Sequence, residues 1–101
     1  MSLVILVDLP IKPDAHDAIR AAGVKMCAAT LLEEGCLRYN FSFDFAYPNL
    51  VRISEEWESQ EALGAHFKSP HMAEFGAAIG GLVAGAADGS KYQITSKGPV
   101  R

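Results

Sequence analysis

The sequence predicts an α+β fold: a four-stranded antiparallel sheet with its helices packed on one face. Three observations carry that prediction. Two stretches, Cys36 to Phe45 and Leu50 to Trp57, alternate in polarity around the turn signal Ala46-Tyr47-Pro48-Asn49, which marks a β-hairpin. Helix-forming segments stand on both sides of that hairpin. An aliphatic run opens the chain and an alternating run closes it. The resulting order, β-α-β-β-α-α-β, is that of a ferredoxin-like protomer.

The chain has 101 residues, half of them apolar and 21% charged, so residues 1–101 suit a single domain with a packed core. The net charge is −3 and the nine Lys and Arg are scattered, which gives no footprint for nucleic acid or an anionic membrane. Leu3 to Leu9, bounded by Pro10 and Pro13, is aliphatic and β-branched and reads as a largely buried strand. No basic region precedes this run and Asp8 interrupts it. It therefore reads as neither a signal peptide nor a membrane span, and a cytoplasmic location is expected.

From Asp14 to Leu32 a helix is predicted. Ile19, Ala22, Met26, Ala29 and Leu32 fall near a 3.6-residue period, and Gly35 supplies the left-handed residue that ends a helix. In the first hairpin strand Leu37, Tyr39, Phe41, Phe43 and Phe45 share one face, and Arg38, Asn40, Ser42 and Asp44 share the other. In the second, Val51, Ile53, Glu55 and Trp57 share a face. Ser59 caps a helix that continues to Phe67. Ser69-Pro70 opens another that runs to Ile79, with Met72, Phe75 and Ile79 on one side. Gly80, Gly81 and Gly85 make a loop, Asp88-Gly89 a turn, and Lys91 to Ser96 the last strand.

Such a sheet leaves its second face open. An apolar open face calls for a partner, and a second copy related by a two-fold axis is the simple one, so a homodimer is expected. Cys27 and Cys36 have no CxxC or Cys/His spacing and read as buried, reduced thiols.

Several segments are more specific: Glu34-Gly35-Cys36-Leu37-Arg38-Tyr39, then Glu55-Glu56-Trp57-Glu58-Ser59-Gln60-Glu61-Ala62-Leu63, then His66 and Ser69-Pro70-His71. Together they resemble the antibiotic biosynthesis monooxygenase family over nearly the whole chain. The resemblance implies two sheets packed into a dimeric α+β barrel, with a pocket between each sheet and its helices. It also implies a choice of chemistries. The family includes cofactor-independent oxygenases of phenols, quinols and anthrone-like rings, haem-degrading members, and members acting on small signalling molecules, so it does not fix the reaction.

Within that frame the catalytic candidates are His66, His71 and Glu55. His66 and His71 are five residues apart and lack a third ligand at motif spacing, so no metal site is expected from sequence. Structurally, His66 would hydrogen-bond a buried acceptor, with Glu55 the suggested one. Functionally, a neutral imidazole with a pKa near 6.5 suits proton transfer. Glu55, on an apolar strand face, must be paired or protonated. It is either a hydrogen-bond hub or a base with a raised pKa. Trp57, Tyr39, Phe41, Phe75 and Tyr92 are the candidate substrate-binding residues, since aromatic walls hold a flat ring. The same aromatics at strand spacing also serve as plain core.

Three functions compete. One is direct oxidation of a small electron-rich aromatic by O2, with no cofactor. The second is haem degradation. Haem-degrading relatives use an Asn on the first strand, and Leu3 to Leu9 contains none, which counts against it. The third is a non-oxidative isomerase or small-molecule binding protein.

Overall fold

The computed structural model describes residues 2–101. Its elements are β1 (Ser2–Pro10), α1 (His16–Thr30), β2 (Cys36–Phe43), β3 (Leu50–Trp57), α2 (Gln60–Phe67), α3 (Pro70–Ile79) and β4 (Asp88–Ile94). The sheet order is β2-β3-β1-β4 and every neighbouring pair is antiparallel. This is the ferredoxin-like arrangement expected from the element order. The helices cover one face. There Leu3 and Leu9 of β1, Tyr39 of β2, and Val51, Ile53 and Trp57 of β3 meet Ile19 and Met26 of α1 and Leu63 of α2.

Four details differ from the sequence expectation, each for a local reason. Helix α1 is shorter than Asp14 to Leu32. Its buried face is Ile19, Gly23, Met26 and Thr30, and Leu32 is exposed. Gly23 belongs to that face because the Phe41 ring packs against it. A Cβ there would lie 3.2 Å from Phe41 Cδ2. Strand β2 ends at Phe43. A register shift between Cys36 and Arg38 turns Leu37 outward, and Asp44 Oδ2 accepts from the Ala46 and Tyr47 amides at 2.9 Å each, starting the turn that leaves Phe45 in solvent. Strand β4 spans Asp88 to Ile94, so Asp88-Gly89 is paired strand, opposite Asp8 and Val7. Cys27 and Cys36 are half-buried free thiols, with burial pushing both pKa values up.

The open face is less apolar than the dimer argument assumed. Over β2 and β3 it is a polar network. Arg38 Nε donates to Ser54 Oγ at 3.2 Å, Ser54 Oγ to Asn40 Oδ1 at 3.0 Å, and Arg52 reaches Asp44 and Asp8 at 3.0 and 3.1 Å. The apolar part is a strip on β1 and β4, formed by Val4, Leu6, Tyr92 and Ile94. Among the described residues no helix is long and apolar enough to cross a membrane.

Candidate active site

The site is built where the end of α1 meets the α2–α3 corner. Gly35 sits at φ +84°, which a side chain disfavours, and a Cβ there would lie 2.6 Å from Ala62 Cβ. Its carbonyl accepts from the Glu58 amide at 2.9 Å. This tight turn holds Glu33 over α2. On the other side Ser59 Oγ caps α2 through the Ala62 amide, and Ser69 Oγ caps α3 through the Met72 amide while donating to the His66 carbonyl at 2.7 Å. Pro70 at the first turn of α3 suits its missing N–H. The two caps fix the corner, and the corner places His66 and His71 on either side of Glu33.

Glu33 Oε2 lies 2.7 Å from His66 Nδ1 and 2.7 Å from His71 Nε2. A carboxylate only accepts, so each of those nitrogens donates. With neutral rings the free lone pair of His66 is then on Nε2. His66 is 1% exposed, and the outer members Glu33 and His71 are more accessible, with side chains 16% and 20% exposed. The arrangement is a buried imidazole linked through one carboxylate to a second imidazole near the surface.

The suggested His66–Glu55 pair is not formed. Glu55 Oε1 instead accepts from Trp57 Nε1 at 2.9 Å, because two residues on one strand face bring the carboxylate beneath the indole N–H. Burial pushes the Glu55 pKa above the usual carboxylate range, and the Trp57 bond offsets part of that. Burial also raises the Tyr39 pKa, with the Glu55 charge adding to it, so Tyr39 stays a protonated phenol.

Seven of the eight candidates gather here. The ring of His66 lies 4.8 Å from Trp57 and 5.2 Å from Tyr39, centroid to centroid. Tyr39 leads on to Phe41 at 5.6 Å, and Phe41 meets Phe75 edge-on at 5.4 Å. Glu55 joins this group through Trp57, and His71 through Glu33. Tyr92 does not belong. Opposite Val4 on β4, it lies on the other side of the sheet from Tyr39 and is half exposed. Glu33 is the member that the sequence reading missed. It sits in a turn, where no periodicity marks a side chain as inward.

Two cavities flank the group. A groove of about 460 Å³ runs between α1 and the edge strand β2, walled by Gly23, Val24, Cys27, Tyr39, Phe41 and Phe43. Its size falls in the range of small-molecule sites, roughly 300–1,000 Å³. A smaller one, about 180 Å³, lies between α1 and α3 and is lined by His71, Phe75 and Met26, among others. His66 lines neither, and Tyr39 stands between it and the larger groove.

Comparison with known proteins agrees with this architecture. The family model described as antibiotic biosynthesis monooxygenase matches residues 2–78. The chain is 30% identical over 91 residues to "Probable quinol monooxygenase YgiN" of Escherichia coli strain K12, covering 80% of this chain and 88% of that protein. Among solved structures, Rv0793 from Mycobacterium tuberculosis superposes with a TM-score of 0.89 at 23% identity, covering 98% of this chain and 100% of that one. A conserved protein from Methanosarcina mazei Go1 gives a TM-score of 0.89 at 20% identity, covering 94% of each chain. The two structural likenesses speak to the fold.

Proposed function

Since the chain belongs to the antibiotic biosynthesis monooxygenase family, we propose that it oxidises a small quinol or phenol directly with O2 in the groove between α1 and β2. The observation that carries this reading is the aromatic groove wall at Tyr39, backed by a buried imidazole that Glu33 holds in one tautomer. The name of the Escherichia coli relative, a quinol monooxygenase, points to the same substrate class.

The ring lies against Phe41 and Phe43, with its oxygen at the Tyr39 hydroxyl. Tyr39 keeps its proton, so it donates to the substrate oxygen as negative charge develops there. As general base, His66 takes the Tyr39 proton while Tyr39 takes that of the substrate, so the hydroxyl ends protonated and donates to the substrate anion. The resulting anion forms a carbon–oxygen bond with O2. Loss of water from the peroxide leaves a carbonyl, so a hydroquinone plus O2 becomes a hydroxyquinone anion, water and the one proton held on His66. One oxygen atom enters the product and the other leaves as water. The proton on His66 exits through Glu33 to His71, the more exposed end of the relay.

Oxygen uptake by the purified protein over a panel of quinols and polyphenols tests this reading, with Tyr39→Phe and His66→Asn run alongside. The expected result is uptake by the wild type that falls about 10²–10⁴-fold in His66→Asn, and a clear loss in Tyr39→Phe. Folded protein that consumes no oxygen with any quinol moves the assignment to the isomerase or binding reading, which needs the same pocket and no O2.

The homodimer belongs with this proposal. The strip of Val4, Leu6, Tyr92 and Ile94 is the apolar part of the open face, and a second sheet laid over it hides Leu6 and Tyr92 from water. Sedimentation equilibrium is expected to return twice the chain mass for the wild type and less for Leu6→Asp. A wild type that sediments as a single chain at micromolar concentration removes the dimer.

A further inference from the structure

We propose that Glu33, His66 and His71 form a binding site for one divalent transition cation of the Zn²⁺ class. The ligand set is one carboxylate oxygen and two imidazole nitrogens, all three within 4.8 Å of one another. They come from three different elements: the turn after α1, then α2, then α3. Nitrogen-rich donors of this kind select borderline cations such as Zn²⁺, Co²⁺ or Ni²⁺, whereas Ca²⁺ and Mg²⁺ want oxygen.

The geometry needs only a small adjustment. Cation–ligand distances of about 2.0–2.2 Å set ligand atoms roughly 3.3 Å apart around a tetrahedral centre. Two of the three separations are now 2.7 Å and must open slightly, and the third lies within 4.8 Å. His71 can make that move, since it stands in the first turn of α3 with its side chain 20% exposed. His66 is held rigidly in the corner. Glu33 and His71 also leave a route for the cation and open positions for water.

The proton bookkeeping is neutral. Each ring now carries its proton on the nitrogen that faces Glu33. When the cation takes that nitrogen, the proton moves to the other ring nitrogen and none is released. For His66 that shift protonates Nε2, which removes the lone pair the oxidation requires. On the proposed function, therefore, the cation is an inhibitor. Its binding does not depend on that reading.

The test is titration of the folded wild type with Zn²⁺ and Co²⁺ in the absence of any substrate, with binding followed by calorimetry and by the visible d–d absorption of Co²⁺. One equivalent per chain is expected, with Zn²⁺ displacing Co²⁺. Glu33→Gln and His71→Asn should each weaken binding on the order of 10²-fold, while Cys27→Ser/Cys36→Ser binds as the wild type does. His71 is partly exposed, so His71→Asn is expected to fold, and its melting temperature is measured beside the titration. Binding unchanged in both ligand variants, binding lost in the Cys variant, or no binding by the wild type would each overturn the proposal.

Discussion

Trp57→Ala is expected to cost about 3–5 kcal/mol of stability, a large part of the 5–15 kcal/mol that holds a typical domain together. Trp57 is fully buried and packs with Leu3, Met26, Tyr39 and Leu63 in the core beside the site. The cavity left behind would open in the core among Leu3, Met26, Tyr39 and Leu63. The indole also donates to Glu55, so its removal leaves a buried carboxylate without that donor. Trp57→Phe isolates the second effect. It keeps most of the volume and loses the N–H, for roughly 1–3 kcal/mol. Glu55→Gln is the companion experiment. The folded-state pKa of Glu55 is raised, so protonated Glu55 adds stability that is present below the usual carboxylate pKa and lost as pH rises through the folded value. Glutamine keeps an acceptor for Trp57 and has no charge to bury. Denaturant midpoints measured from acid to neutral pH should fall for the wild type across that window and stay flatter for Glu55→Gln. Equal slopes in the two proteins would mean that Glu55 ionises at no cost. A loss below 1 kcal/mol in Trp57→Ala would mean that the packing around the indole is loose.

The sheet and its hairpin were legible because their signals are local. Polar and apolar residues alternate along β2 and β3, and two serines stand at the caps of α2 and α3. Both kinds of signal fix an element whatever surrounds it. What the sequence left unread depends on contacts between distant residues. Gly23 is on the buried face of α1 because Phe41 needs the space, and a helical wheel scores glycine as nothing. The orientation of Tyr92 depends on the register of β4 against β1, which a short strand does not announce. Glu55 lies conspicuously on an apolar face of β3, which makes it the expected acceptor for His66. The true acceptor, Glu33, lies in a turn beside a second acid, Glu34, and nothing in the spacing tells the two apart. Even there one signal existed. Gly35 is required by its positive φ and by the closeness of Ala62, and a glycine so constrained fixes the direction of the residues just before it. Gly35 is thus an anchor as well as a helix stop, and it puts Glu33 over α2.

Glu33→Gln is expected to slow oxygen uptake about 10²-fold while leaving KM for the quinol nearly unchanged. Glu33 touches neither groove wall nor substrate in the proposed arrangement, so it is a positioning residue that acts through His66. Its carboxylate only accepts, and that holds the proton of His66 on Nδ1 and leaves Nε2 as the base. A glutamine side chain presents an oxygen or an N–H at the same place. When the N–H faces the ring, the tautomer is reversed and the basic lone pair moves from Nε2 to Nδ1. The charge that stabilises the imidazolium as it forms is lost as well. The buried His66 then has no anionic neighbour through which to release its proton, since Glu33 is the bridge to His71. A purely structural role for Glu33 predicts something else: a lower melting temperature, with kcat recovered once folded protein is counted. The two roles separate in a comparison with His71→Asn, which keeps Glu33 and the tautomer of His66 but interrupts the exit route. That variant should lose less in kcat than Glu33→Gln. Its first turnover should be as fast as that of the wild type, with later ones slowed. Single-turnover and steady-state oxygen uptake, measured on both variants, give the answer. A first turnover unimpaired in Glu33→Gln would remove the carboxylate from the chemistry and leave it a structural clasp.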